Sequence, residues 1–180
     1  MTEVSDGGVN DSSMNDGLLW AQMIHNDMVI AEVNAILYWW LWTNTGTANQ
    51  SGGSLLHVVN NASILKNKRL FTIGQYSRFI RPGFYRLNGS TEPLPGMFIS
   101  MYKSPDSKNL VIVGINNNTF DRNVQFTMQG VHAESEVQLW RTSQEEDLME
   151  IAKPGNCMVS PGSIVVRFAP LSVTTVTIQL

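Results

Sequence analysis

A carboxylate and three indoles carry the chemistry open to this chain. Glu3 closes a short apolar segment, and some thirty-five residues later a second apolar segment, Asn34-Ala35-Ile36-Leu37-Tyr38-Trp39-Trp40-Leu41-Trp42, ends in three tryptophans. A carboxylate can meet the positive charge that develops on a sugar ring as its glycosidic bond breaks, and flat aromatic faces stack on sugar rings. Together these are what a sugar-cleaving cleft requires. The position is unusual, because a catalytic group at residue 3 has almost no scaffold before it. Taken alone, Glu3 reads as a surface carboxylate.

The elements that must position these groups follow from pattern. Residues 15–30 read as a helix capped by Asn15 or Asp16, with Leu18, Leu19, Ala21, Gln22, His25, Met28 and Val29 at three- and four-residue steps. Residues 33–41 form a nearly continuous apolar run, expected as a strand covered on both faces as in a parallel sheet. The polar stretch 43–53 is a loop. A second helix fits residues 68–80 and stops at Arg81, Pro82 and Gly83. Strand end, helix, strand, loop, helix is the rhythm of a (β/α) barrel or a doubly wound sheet. From Phe84 onward the pattern changes to short β segments at 97–102, 110–115, 124–128, 136–140, 163–168 and 171–178, separated by turn clusters. Alternation in Val124, Phe126 and Met128, and in Val176, Ile178 and Leu180, gives a strand one buried face, so an antiparallel β-sandwich is expected. The fold class is therefore α/β plus all-β, with residues 1–82 as one domain and 83–180 as the other.

Composition excludes several classes. The 180 residues are 43% hydrophobic, enough for a sizeable core. A net charge of -3 argues against nucleic-acid binding, which needs clustered Lys and Arg. Six acidic residues and no Lys or Arg lie in residues 1–65, so that stretch carries -6 and leaves +3 for the rest. The two halves differ in kind. The single cysteine, Cys157, cannot form an intrachain disulfide, and neither a signal peptide nor a membrane-length apolar run is present.

Several segments, in this order and spacing, resemble the C-terminal part of a glycoside hydrolase family 30 enzyme of the xylanase type. They are "MTEVS", "NDGLLWAQMIHNDMVIAEVNAILYWWLW", "KNKRLFTIGQYSRFIRPGFYRL" and "FAPLSVTTVTIQL". The resemblance covers essentially the whole chain. It implies the last βα units of a (β/α)8 TIM barrel followed by a β-sandwich. It also implies a secreted, retaining endo-β-1,4-xylanase acting on xylan. Glu3 then matches the nucleophile at the carboxyl end of barrel strand seven, where barrel catalysis sits. Trp39 and Trp40 fall where strand eight reaches the same face and would stack substrate rings, with Ser5, Tyr38 and Trp42 as further substrate contacts.

The family's acid/base comes from strand four, outside this sequence. Glu32 opens the segment that Trp39 and Trp40 close, about 20 Å from Glu3 at the strand rise, too far to serve. Asp6 and Asp11 are near Glu3 but have no reason to sit across the sugar. The chain alone is therefore expected to be inactive, and association with the missing barrel part or a homo-oligomer is expected to cover its edges. Glucuronoxylan-specific members use an Arg soon after the Trp pair, whose fork matches a carboxylate. Here no Arg precedes Arg69, and Ser5 stands where a Tyr is expected. A xylanase with little dependence on glucuronate branches is the inference, and β-1,6-linked galactan or glucan stays open. The rival reading is a non-catalytic carbohydrate-binding or structural module.

The remaining constellations are weak. His25, His57 and His132 fall in a helix, a loop and the sandwich without metal-site spacing. Residues 6–11 resemble a calcium loop in composition only. Glu145, Glu146 and Asp147 read as a solvated turn, and Trp140 as core. No metal, cofactor, nucleic acid or membrane is expected as a partner.

Overall fold

The computed structural model describes residues 3–6, 11–44, 53–59 and 63–180. Most of the expected loop at 43–53, and residues 7–10 of the calcium-like stretch, lie outside the described residues. The chain forms two compact units, Met1–Ile73 and Gly74–Leu180.

In the first unit, helix α1 (Met14–Val29) buries Met14, Leu18, Trp20, Ala21, Ile24, His25 and Val29 on one face. Its N-cap is Ser13 rather than Asn15 or Asp16. The Ser13 hydroxyl accepts from Asp16 N, and Asp11 Oδ1 accepts from Ser13 N at 2.8 Å. Asp16 cannot cap because its carboxylate is turned inward to a guanidinium. After α1, Glu32 takes a left-handed conformation with φ 53°.

Residues 33–41 do not form the expected buried strand. Among the described residues their backbone makes one parallel bridge, Val4 to Tyr38, and the regular strand begins only at β1 (Trp42–Asn44). Leu37, Trp39, Trp40 and Leu41 are 56%, 51%, 40% and 57% exposed. A continuous apolar run predicts a two-sided strand only where both faces find a covering layer. Here the run presents its indoles to solvent instead. Strand β1 pairs in parallel with β2 (Leu56–Val59), which pairs antiparallel with β3 (Ser63–Lys66). His57 therefore lies in a strand, not a loop. Helix α2 (Lys68–Ser77) ends three residues before the expected 80, in turns where Ile80 N bonds Tyr76 O at 2.9 Å.

The second unit contains two antiparallel sheets. One holds β4 (Tyr85–Leu87), β5 (Met97–Lys103), β6 (Asn109–Asn116), β12 (Ser172–Gln179), β8 (Val137–Thr142) and β9 (Met149–Ile151) in that order. The other holds β10 (Cys157–Ser160), β11 (Ser163–Phe168) and β7 (Arg122–Thr127). Alternate residues of both sheets, among them Ile99, Ile112, Phe126, Leu139, Ile164, Phe168 and Val176, form one hydrophobic core. The opposite face of the larger sheet is buried too, at Val111, Val113, Ile115, Val173 and Thr175. Residues just after Ile73 lie on it: Thr175 Oγ1 donates to Gln75 O at 2.8 Å, and Gln75 Nε2 to Thr142 Oγ1 at 2.9 Å. The Arg78 guanidinium sits 3.9 Å from the half-buried Trp140 ring.

Glu146 is not part of a solvated turn. It accepts from Arg141 Nε and Nη2 and from Ser143 Oγ, at 2.5, 2.6 and 2.7 Å, and its side chain is largely covered. The fixed charge of Arg141 at the end of β8 draws it in.

One glycine of the core permits a close approach. A Cβ on Gly114 would run into the edge of the fully buried Phe168 ring, meeting Cζ at 2.7 Å. Gly114→Ala is therefore expected to destabilise the second unit by about 1–3 kcal/mol through overpacking. Urea denaturation checks this, and a loss below about 0.5 kcal/mol would mean that the ring has room to move aside.

Candidate active site

The site is built from two chain segments held side by side. Val4 N donates to Leu37 O at 2.9 Å, and Trp39 N donates to Val4 O at 2.8 Å. Along residues 3–6, Glu3 and Ser5 are exposed while Val4 and Asp6 are half-buried, the alternation of an extended segment. Glu3 and Ser5 thus share the solvent side of the segment that borders Trp39. The Trp39 and Trp40 rings are neighbours, with centroids 5.6 Å apart and planes inclined by 46°, and the peptide between them is cis. Trp42, at the start of β1, is 59% exposed. An exposed carboxylate beside exposed indoles can present charge and stacking surface to a polymer running along them.

Tyr38 is arranged differently from the indoles around it. Its hydroxyl donates to Gly53 O at 2.6 Å and accepts from Arg69 Nη1 at 3.0 Å. Its ring meets Trp20 edge-on at 4.8 Å. The hydroxyl is held inward, and burial pushes its pKa above the ordinary phenol value.

Arg69 is the group that reading the sequence passed over. It is fully buried, and its Nε and Nη2 grip the two carboxylate oxygens of Asp16 at 2.7 Å each. Nη2 also reaches Asp6 Oδ2 at 3.4 Å, and the guanidinium carbon lies 5.2 Å from the Trp20 ring centroid. Burial pushes the Asp16 carboxyl above the usual range, with the Arg69 hydrogen bonds pulling it back. Burial works against the Arg69 cation most strongly, but the hydrogen bonds and charge interactions with Asp16 and Tyr38 together outweigh it and hold that pKa above its ordinary value. The signal was present in the charge pattern. Asp16 falls on the apolar side of a helix in a stretch with no cation before Lys66, so burying it requires a basic residue from further along.

The other acids near Glu3 have work of their own. Asp6 faces Arg69, Asp11 accepts from Ser13 N, and Asp16 is locked into its ion pair. The bond to Ser13 N holds the Asp11 carboxyl below its ordinary pKa. Glu32 is exposed at the turn after α1. His57 is fully buried, with Nδ1 3.3 Å from Thr43 Oγ1, which in turn bonds Ser54 Oγ at 3.1 Å. Among the described residues no group of three or more His, Cys, Asp or Glu is arranged to hold a metal. No helix there is long and apolar enough to cross a membrane.

Comparison with known proteins gives this geometry a context. Glucuronoxylanase XynC of Bacillus subtilis is 30% identical over 151 residues, which is 82% of this chain and 32% of that protein. A family 30 endoxylanase structure from Clostridium papyrosolvens C71 superposes with a TM-score of 0.78 at 26% identity, covering 100% of this chain and 41% of that one. The homologues of this chain include glycoside hydrolase family 30 xylanases. The catalytic domain of the family 30 xylanase C from Talaromyces cellulolyticus shares the fold, with a TM-score of 0.83 at 23% identity over 99% of this chain and 40% of that one. No protein-family model matches the chain. The chain spans about a third of the length of the curated relatives it matches.

Proposed function

We propose that this chain supplies the nucleophile half of a secreted, retaining endo-β-1,4-xylanase of the family 30 kind. Residues 1–82 are read as the end of a (β/α)8 barrel and 83–180 as the β-sandwich beside it. The observation that carries the reading is the pair of backbone bonds from Val4 to Leu37 and Trp39, which sets the Glu3 segment against the tryptophans. In this mechanism the Glu3 carboxylate attacks the anomeric carbon as the leaving oxygen takes a proton, and water then releases the sugar from the ester. Trp39 and Trp40 stack the xylosyl rings, and Ser5 and Trp42 border the track.

The second carboxyl must stand roughly 5–5.5 Å across the sugar. Asp6, Asp11 and Asp16 are each committed elsewhere, so the acid/base is assigned to a further polypeptide segment. Arg69 is fully buried and engaged on Asp16, Tyr38 and Asp6, so it cannot clamp a methylglucuronate branch. This supports a xylanase indifferent to such branches. The test is a reducing-sugar assay on glucuronoxylan and on unbranched xylan, with the chain alone and with the chain joined to the upstream part of a family 30 enzyme. The chain alone is expected to be inactive, and the joined form to cut both substrates at comparable rates. Turnover by the chain alone that survives repurification and disappears in Glu3→Gln would sink the incompleteness claim.

A non-catalytic carbohydrate-binding module is the second reading, favoured by the absence of an uncommitted acid beside Glu3 among the described residues. Xylan binding that survives deletion of residues 1–82 would support it.

A further inference from the structure

We infer that Arg69 is a positioning residue that sets the register of the Glu3 segment against the tryptophan segment. The inference rests on the proposed xylanase reading of that site. Among the described residues, the pairing between the two segments is a single bridge, Val4 with Tyr38. Its two backbone bonds set the segments parallel at Val4, but a parallel pair is held in register more firmly by successive bonds along a ladder.

The guanidinium supplies the missing points. Its edge bearing Nε and Nη2 is seated on Asp16 of α1, which fixes the plane of the fork in the unit. From that plane Nη1 reaches the Tyr38 hydroxyl and Nη2 reaches Asp6. Asp6 lies three residues after Glu3, and Tyr38 immediately precedes Trp39. One rigid, fully buried cation therefore references both segments to the same helix. Trp20 braces the arrangement by lying under the guanidinium and against the edge of Tyr38. A lysine has the charge but not the planar fork, so it could satisfy Asp16 without directing the other two contacts.

The test uses the whole 180-residue chain and separates positioning from bulk stability. Tyr38→Phe keeps the ring on Trp20 and leaves the Asp16 pair intact, removing the hydroxyl with its bonds to Arg69 Nη1 and Gly53 O, and Arg69→Lys then isolates the arginine's share. Amide hydrogen exchange followed by NMR is expected to speed up about ten-fold or more at Val4 and Trp39 while the amides of α1 change less than about two-fold. The indole N–H resonances of Trp39 and Trp40 should shift, and xylohexaose affinity should fall about ten-fold. Arg69→Lys should reproduce the selective exchange pattern.

Unchanged exchange at Val4 and Trp39, or an equal rise throughout α1, overturns the positioning role. Selective exchange with unchanged xylohexaose affinity overturns its link to the site. If the unmodified chain does not bind xylohexaose, the sugar-stacking role given to Trp39 and Trp40 fails, and the exchange pattern still decides what Arg69 does.

Discussion

Replacing Arg69 with Met is expected to destabilise the first unit by about 3–5 kcal/mol, enough to unfold most of it, because the change leaves the Asp16 carboxylate buried without its cation. The magnitude follows from the geometry. Both oxygens of Asp16 are bonded to one guanidinium at 2.7 Å, and neither residue has appreciable contact with water. Four of the five tryptophans lie in this unit, so urea denaturation followed by indole emission reads it directly. The double variant Asp16→Leu with Arg69→Met should recover much of the loss, since an apolar pair of similar volume carries no uncompensated charge. A single-variant loss under about 1 kcal/mol would show that water reaches Asp16 when the arginine is gone.

The second large effect concerns chemistry. In a xylan-cleaving form made by joining this chain to the upstream part of a family 30 xylanase, Glu3→Gln is expected to lower kcat about 10,000-fold or more. Glutamine keeps the size of the side chain and removes the charge that, in the proposed mechanism, bonds the anomeric carbon. Because the tryptophans are untouched, xylohexaose binding should stay within about two-fold. Glu3→Ala with added azide gives a further readout. Azide can occupy the vacated space and attack the anomeric carbon in place of the carboxylate, giving a glycosyl azide of inverted configuration. A kcat reduced less than about ten-fold in Glu3→Gln would remove Glu3 from the nucleophile's role.

Helix α1 was readable within one residue at each end because its apolar face repeats at helical spacing. Strands β5, β6, β7, β8, β11 and β12 were readable because each has a run of β-prone residues bounded by turn clusters. The three- and four-residue strands β1, β2, β3, β4, β9 and β10 were not, because so few residues cannot establish a period. The apolar run at 33–41 misled for a different reason. A hydrophobic stretch records a demand for cover, not its supply, and most of these side chains, the tryptophans among them, stand in solvent here. Within the candidate site, Glu3 and the tryptophans stood out by residue type. Arg69 did not, since its partners Asp6, Asp16 and Tyr38 lie 63, 53 and 31 residues away along the chain.

Sequestering the Arg69 guanidinium also shapes the electrostatic landscape that a substrate meets. Through residue 65 the chain has six acidic residues and no Lys or Arg, and the first arginine after that point is buried, so this stretch carries an excess of negative charge. A polymer bearing uronate groups would approach against that field, whereas a neutral xylan would not. The discrimination fades over a screening length of about 8 Å at physiological ionic strength. In the proposed xylanase the two substrates are therefore expected to be cut at comparable rates in physiological salt, with a bias toward the uncharged chain emerging only in dilute buffer.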